Sequence, residues 1–402
     1  MKRDILVINC GSSSIKFSLF NYLDERFDLA LCGQIEALGQ IAQFTFKQLY
    51  QPFTGSVNLA PSSGHRAALQ SLLHWLEPRL DAETQLTVGH RVVHGGSHYH
   101  RPTLINDKVL AELKDIIPLA PLHQPHNILA IETLAQLRPD LTQVACFDTA
   151  FHSTQDRITQ QFAVPEEYYD QGLRSYGFHG LSYDYIATHI KQIDPQLATG
   201  KMVVAHLGNG ASLCAIENGR SVDCTMSFST LDGLVMGTRS GALDPGVILY
   251  LLQEKNMSPS EVSDLLYTKS GLLGLSNQSS DMRTLLDSDT PEAERAIAIY
   301  LRRLSREIAA MVSAMQGIDG LIFTGGVGEN SAPIRQRVCD QLGWLGVTVD
   351  SAANSAAKEL ISSSTSSVKV YVLKANEEQV IAQNCVTMVT LNTLNRDSLN
   401  RD

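Results

Sequence analysis

Val7-Ile8-Asn9-Cys10-Gly11-Ser12-Ser13-Ser14-Ile15 reads as a strand, a Gly/Ser turn and the start of a second strand. Ala205-His206-Leu207-Gly208-Asn209-Gly210-Ala211-Ser212-Leu213 repeats that plan in the second half of the chain. In each copy glycine and a hydroxyl or amide side chain lie between two apolar runs. That makes a β-hairpin whose backbone N–H groups point outward, where they can receive an anion. One such hairpin in each half predicts two similar domains facing a central cleft, with a nucleotide's phosphates gripped from both sides. Two unrelated hairpins would leave the same pattern, because Asn-Gly turns occur in hairpins of every function.

The length agrees with two domains. A chain of 402 residues is too long for one ordinary core and suits two of about 200 residues each. We place the division between 1–150 and 151–382, with 383–402 returning to pack on the first domain. Hydrophobic residues make up 44% and charged residues 18%, the balance of a globular protein. A formal net charge of −10 excludes an extended footprint on nucleic acid or on an anionic membrane, and leaves room for a basic cluster inside a cleft. The 7 cysteines (Cys10, Cys32, Cys146, Cys214, Cys224, Cys339, Cys385) are odd in number and lack CxxC spacing, the pattern of reduced thiols. The first apolar run stops at Asn9 with no small-residue cleavage site after it, and no apolar run is long enough to span a bilayer. The expectation is a cytoplasmic protein with neither a nucleic-acid nor a membrane partner.

Short β-branched runs at 5–9, 143–148, 202–207, 320–324 and 368–373 alternate with helical patterns. From Asp107 onward, Val109, Leu110, Leu113, Ile116 and Ile117 share one helical face, and Pro118 stops the run. A second helix has Thr290 at its N-cap, Pro291 at its first position and Gly317 at its C-terminal stop. Alternation of this kind predicts an α/β fold with largely parallel sheet and ligands at the carboxyl ends of strands. Ser362-Ser363-Ser364-Thr365-Ser366-Ser367 reads as a flexible surface loop without chemistry.

No GxxxxGK[ST] occurs, which excludes a P-loop, and Gly326-Val327-Gly328 lacks the third glycine of a dinucleotide fingerprint. Leu321-Ile322-Phe323-Thr324-Gly325-Gly326-Val327-Gly328-Glu329-Asn330-Ser331 instead reads as a buried strand, a Gly-rich turn and a helix start, where backbone can approach a base or phosphate closely. Arg91 sits in Gly89-His90-Arg91-Val92-Val93-His94-Gly95-Gly96, and Arg239 in Met236-Gly237-Thr238-Arg239-Ser240-Gly241. A guanidinium among glycines in an apolar stretch suits phosphate or carboxylate oxygens, though each taken singly reads better as a structural salt bridge. Asp148 ends a strand, and Glu377 and Glu378 follow another after Asn376, the place where α/β enzymes hold metals. Positive groups, a few carboxylates and glycine-lined turns are what phosphoryl transfer requires.

These stretches, with Pro121-Leu122-His123, Phe147-Asp148-Thr149-Ala150-Phe151-His152, Tyr176-Gly177-Phe178-His179-Gly180 and Ser270-Gly271-Leu272-Leu273-Gly274, resemble the acetate/propionate kinase family in order and spacing over essentially the whole chain. The resemblance implies two ribonuclease H-like domains of the sugar kinase, Hsc70 and actin type, paired as a homodimer. It implies Mg-dependent, direct in-line phosphoryl transfer between ATP and acetate, with Mn²⁺ as an alternative cation. Under it Arg91 and Arg239 hold the carboxylate and stabilise the moving group, His179 hydrogen-bonds that group, Asp148 positions metal or substrate, and His123 lines the site. Asn9 and Glu377 hold the metal. Ser12, Ser14, Lys16, His206, Gly208, Asn209 and Gly210 receive phosphates, while Asp281, Arg283, Gly326, Val327, Gly328 and Asn330 frame the nucleotide. Val93, Leu122, Phe178 and Thr230 form the acyl pocket.

Some positions depart from that family's pattern. Thr230 stands where a proline is usual, and Gly-Phe-His-Gly-Thr-Ser-His becomes Gly177-Phe178-His179-Gly180-Leu181-Ser182-Tyr183. Ala242 and Ala375 replace an acidic residue and a threonine. Val93 keeps the pocket short and favours acetate, while Thr230 leaves propionate open, a methylene being worth only about 1–3 kcal/mol. Two other classes share parts of the pattern: a metallohydrolase using His90, His94, His98 and His100, and a non-catalytic nucleotide switch of the actin or Hsc70 kind.

Overall fold

The computed structural model describes residues 2–36, 38, 42–48, 53–58, 64–80 and 84–399. The chain forms two compact units, Met1–Ala150 with Asn376–Asp402, and Phe151–Ala375. The return to the first unit starts at Asn376 and not at 383. Helix Glu377–Leu399 packs as one piece on the first unit's sheet, and a division at 382/383 would cut through it.

The first unit carries β1 (Arg3–Cys10), β2 (Ile15–Leu23), β3 (Arg26–Glu36), β4 (Gln43–Gln48), β5 (Phe53–Asn58), β6 (Gln85–Val92), β7 (Thr103–Leu104) and β8 (Thr142–Phe147). They form one sheet in the order β5-β4-β3-β2-β1-β6-β8-β7. β1 is apolar on both faces because both are covered. Leu6, Ile8 and Cys10 join Leu69, Leu72 and Leu134 of helices His65–Leu76 and Gln124–Leu137 in one buried cluster. On the opposite face helix Glu377–Leu399 lies on β1, β6 and β8. Gly89 permits that approach, since a Cβ there would lie 2.5 Å from Ile381 Cγ2 and 2.6 Å from Cys385 Sγ. Helix Asp107–Asp115 forms as its periodicity predicts, with Asn106 accepting from Val109 N–H at its N-cap. Val109 and Leu113 are buried, with Leu110, Ile116 and Ile117 packed beside them.

The second unit carries β9 (Lys201–Leu207), β10 (Ala211–Glu217), β11 (Arg220–Cys224), β12 (Gly320–Thr324) and β13 (Lys369–Val372), in the order β11-β10-β9-β12-β13. Helix Pro291–Met315 covers β9, β10 and β11 with an apolar stripe that includes Ala293, Ile297, Leu304, Ile308 and Met311. Thr290 caps it as expected, accepting from Ala293 N–H. At its other end the left-handed residue is Gln316 (φ +57°), and Gly317 follows at φ +147° to turn the chain toward β12. The serine-rich stretch is tied down and not loose: Ser363 and Ser367 donate backbone N–H groups to the Thr348 and Gly346 carbonyls.

The predicted hairpins are both present. β1 pairs antiparallel with β2 around the Gly11–Ser14 turn, and β9 pairs antiparallel with β10 around Gly208–Gly210. Their likeness extends well beyond the turns. In β3-β2-β1-β6-β8 and in β11-β10-β9-β12-β13, two antiparallel pairings are followed by two parallel ones. The sheets are therefore mixed and not largely parallel. The hairpins that carry the turns bring antiparallel strands with them, and only the crossover strands run parallel.

Candidate active site

In the first unit, polar side chains gather at the carboxyl ends of the neighbouring parallel strands β1, β6 and β8. Arg91 donates to Asp148 through two parallel bonds, Nε to Oδ1 at 3.0 Å and Nη2 to Oδ2 at 2.6 Å. Its Nη1 reaches Asn9 Oδ1 at 3.4 Å, and Glu377 Oε2 lies 4.0 Å from Nε. Asp148 is 1% exposed and fixed by its own N–H to the Val92 carbonyl, so the fork has little freedom. Asn9 and Asp148 arrive from the ends of β1 and β8, and Glu377 opens helix Glu377–Leu399.

This cluster is short of positive charge. Burial pushes the Glu377 carboxyl up to about 7; Arg91 and Lys16 oppose the shift, and the charges of Asp148 and Glu378 add to it. Burial works against the charge on Arg91 too, but its carboxylate neighbours outweigh it and hold the guanidinium protonated. The Asn9 amide oxygen and the Glu377 carboxyl could hold a hard divalent cation that keeps most of its waters.

Behind these residues stands a pair that sequence reasoning missed. Asn127 donates Nδ2–H to the Cys10 carbonyl at 2.9 Å and accepts the Val93 N–H at 3.0 Å, tying the end of β1 to the segment after β6. Gln124 exchanges two bonds with the backbone of His94. The signal was available: polar residues at i and i+3 on the buried face of an otherwise apolar helix. His123 begins that helix, half-buried. Val93 is buried and Leu122 is exposed. Ser12 and Ser14 lie on the β1–β2 turn, and Lys16 on β2 sits in register with Asn9.

Two of the four histidines of the metallohydrolase reading, His90 and His94, are engaged elsewhere. His90 Nε2 pairs with Gln143 Oε1 at 2.7 Å, and His94 Nδ1 accepts the Gly96 N–H at 2.8 Å. Burial lowers both to about 4. Among the described residues no group of three or more His, Cys, Asp or Glu side chains is placed to hold a metal.

In the second unit a cavity of ≈ 950 Å³ opens over the β9–β10 turn. Gly208, Asn209, Asp281, Arg283, Gly326, Val327 and Asn330 line it, as do Leu286, Tyr300 and Pro333, which the sequence did not single out. Gly237 makes room for the turn: a Cβ there would lie 1.9 Å from Asn209 Oδ1. Asp281 caps helix Met282–Leu286 and pairs with Arg283, Nη2 to Oδ2 at 2.9 Å. The Arg283 hydrogen bond is the first cause that lowers the Asp281 carboxyl to about 2. Gly328 is the one predicted nucleotide contact of that strand–helix segment that does not reach the cavity. It is buried in helix Gly325–Asn330, and its carbonyl accepts from the buried Arg335.

Beside the turn, His179 begins helix Gly180–Ile193 with a left-handed backbone (φ +56°). Its ring stacks on His206 with centroids 4.3 Å apart. His179 Nε2 and Arg239 Nη1 each lie 3.7 Å from the position a Cβ of Gly210 would take, so both converge on the turn. Arg239 Nη1 donates to the Thr230 carbonyl at 2.9 Å. A proline would offer the same carbonyl, so this departure leaves the arginine's anchor unchanged. Ala242 and Ala375 likewise contribute backbone groups, accepting from Arg303 and donating to Thr324. Phe178 is buried, its carbonyl accepting from His152 Nε2.

Residues 4–383 match the Acetokinase family. The chain belongs to that family. Acetokinase-family proteins are phosphotransferases with a carboxyl group as acceptor. The acetate kinase of Methylocella silvestris is 45% identical over 97% of this chain and 98% of its own. That of Rhodopseudomonas palustris strain TIE-1 is 47% identical over 94% and 96%. Among solved structures, a propionate kinase from Francisella tularensis superposes with a TM-score of 0.89 at 36% identity, covering 95% of this chain and 98% of that one. Acetate kinase from Porphyromonas gingivalis gives 0.87 at 34% identity, covering 96% and 100%. The fold of this acetokinase-family chain is the two-domain actin-like one.

Proposed function

We propose that this chain transfers the γ-phosphoryl group of ATP to acetate, reversibly, giving acetyl phosphate and ADP. A carboxylate oxygen attacks the γ-phosphorus, and the bond from that phosphorus to the β–γ bridging oxygen breaks in line. A carboxylate is already a competent nucleophile and needs no general base. The observation that carries the reading is Arg91 locked into Asp148 beside Asn9 and Glu377. Asp148 takes two of the guanidinium's five N–H groups and Asn9 a third, so the guanidinium plane is fixed and the two left over suit the oxygens of the acid or the moving phosphoryl group.

Arg239 and His179 stabilise the charge on that group, and the Gly208–Gly210 turn with His206 takes the ATP phosphates. Asp281, Arg283, Gly326, Val327 and Asn330 frame the nucleoside. Mg²⁺, held by Asn9 and Glu377 through its waters, would neutralise phosphate charge. The short side chain of Val93 favours acetate over longer acids, and the two relatives named above as sharing nearly half of this sequence carry that name.

All seven cysteines are free thiols, which supports a reducing compartment such as the cytoplasm. No helix among the described residues is long and apolar enough to cross a membrane. Helix Pro245–Gln253 exposes Val247, Leu249 and Tyr250, an apolar face that supports pairing of two copies. Light scattering would read the mass of the pair.

Hydroxamate trapping with Mg-ATP and acetate, propionate or butyrate tests the reaction. Acetate as the best acceptor supports the proposal, and propionate as the best moves the substrate by one methylene. No product from any acid, with ATP still bound, refutes it in favour of a nucleotide switch.

A further inference from the structure

Tyr183 occupies a position where the family pattern has histidine, and the structure gives its hydroxyl a specific neighbour. Tyr183 Oη lies 2.5 Å from Ser212 Oγ, and the same Ser212 Oγ lies 2.8 Å from His179 Nδ1. Tyr183 and Ser212 are both 0% exposed. The tyrosine ring is wedged against the rings of Phe151 and His152, the latter edge-on at 5.6 Å. His152 is itself fixed through Ser221 and the Phe178 carbonyl. The phenol therefore meets Ser212 in one geometry.

We propose that Tyr183 is a positioning residue that sets the protonation pattern of His179 through Ser212. The inference rests on the role given to His179 in the proposed reaction. A serine hydroxyl has one proton and, here, two neighbours. Of the two hydroxyls the phenol is the stronger acid and the weaker acceptor, so Tyr183 donates to Ser212. Ser212 then spends its only proton on His179 Nδ1, which must be a bare acceptor. A neutral imidazole has one N–H, and it is left on Nε2.

Nε2 is the atom that faces the Gly210 turn beside Arg239. His179 is thus held as a neutral donor aimed where phosphoryl oxygens would lie, without needing to be protonated. The other tautomer would present a lone pair to those oxygens and repel them. Arg239, whose guanidinium converges with Nε2 on the same turn, makes a charged imidazole unwelcome there and favours the neutral arrangement.

The test uses Tyr183→Phe, which keeps the ring and removes the donor. Free of Tyr183, Ser212 can accept from Nδ1–H, and neutral His179 loses its fixed donor at Nε2. Only the doubly protonated ring then donates there reliably. The expected result is a kcat for acyl-phosphate formation about 10-fold lower at pH 8, below the cost of deleting a donor outright. The KM for ATP should be little changed, and the deficit should shrink as pH falls and His179 protonates.

A merely structural role would lower activity evenly across pH. An even loss, or no loss, overturns the proposal. Nitrogen NMR of histidine-labelled wild-type protein gives an independent reading that requires neither a variant nor turnover. His179 protonated at Nε2 and bare at Nδ1 supports the assignment, and the reverse tautomer overturns it. Acyl-phosphate formation by the wild type is measured beside it, so a failure of the kinase reading is seen separately from a failure of the tautomer.

Discussion

Glu377→Gln should stabilise the first unit, and more so as pH rises. Burial holds the Glu377 carboxyl at about 7, where the ordinary value is 4.5. Below 4.5 the group is protonated in both folded and unfolded chains, and it contributes nothing to the pH dependence. Between 4.5 and about 7 the unfolded chain gives up its proton while the folded one keeps it, so stability falls as pH rises. Above about 7 the whole cost is present. At about 1.4 kcal/mol for each tenfold, moving the carboxyl that far costs about 3 kcal/mol, an upper figure because the side chain keeps some solvent contact. Glutamine has the shape of the protonated acid and never carries that cost.

The assay is urea unfolding of metal-free protein at pH 5 and pH 8, followed by Trp75 fluorescence. A Trp344→Phe background leaves only the first unit's tryptophan, since Trp344 belongs to the second. The variant should match its parent to within about 1 kcal/mol at pH 5 and exceed it by about 2–3 kcal/mol at pH 8. A difference that stays flat from pH 5 to pH 8 would refute the reasoning, because it would mean Glu377 ionises normally in the folded protein.

Asp148→Asn should lower kcat/KM for acetate by about 100-fold or more in the hydroxamate assay, because the Arg91 fork loses its charged partner. Gly237→Ala should weaken ATP binding by calorimetry about 10-fold or more while leaving the fold intact, since its Cβ would displace the Asn209 side chain from the turn. Gly89→Val should cost the first unit about 1–3 kcal/mol in urea unfolding by pushing helix Glu377–Leu399 off β6. Magnesium affinity should rise with pH through about 7 as Glu377 gives up its proton, a change read by calorimetry in two buffers of different ionisation heat.

The hairpins were legible because their signal is local: apolar runs of strand length around glycine turns. The sheets they enter were misjudged as largely parallel for the same reason, since pairing direction depends on partners distant in sequence. The long helix could be read from Thr290 and Pro291, but its left-handed end fell on Gln316, because the fold needed Gly317 for the turn that follows. Arg91 and Asp148 were each visible as strand-end polar residues. Their bidentate pairing was not, because 57 residues separate them. Gly328 looked like its neighbours in a glycine-rich run, yet the short helix turns it inward while Gly326 lines the cavity. Tyr183 was noticed only as a departure from a family pattern. That its hydroxyl meets the serine holding His179 follows from the β10 register, which no local reading supplies.

The two sheets share one strand plan and put different chemistry at the same ends. In the first unit β1, β6 and β8 deliver Asn9, Arg91 and Asp148, side chains that carry charge or coordinate it. In the second the corresponding β9 and β12 end in Leu207 and Thr324, and both run directly into glycine. Backbone is exposed there in place of side chains. Glycine backbone lets a polyphosphate approach closely but offers no charge to a cation, and carboxylates do the reverse. The polar side chains of the second unit that face its turn, Arg239 and the histidine pair, come from a loop, a helix start and β9, so they leave the strand-end glycines clear. A side chain at Gly208 or Gly325 would remove that difference: a Cβ on Gly325 would lie 2.9 Å from the Leu207 carbonyl carbon and would push the end of β9 away from the glycines that follow β12, of which Gly326 lines the cavity. Gly325→Ala should therefore weaken ATP binding and destabilise the second unit together. Loss of binding with stability intact would mean that Gly325 serves the ligand directly and not the packing of β9 against β12.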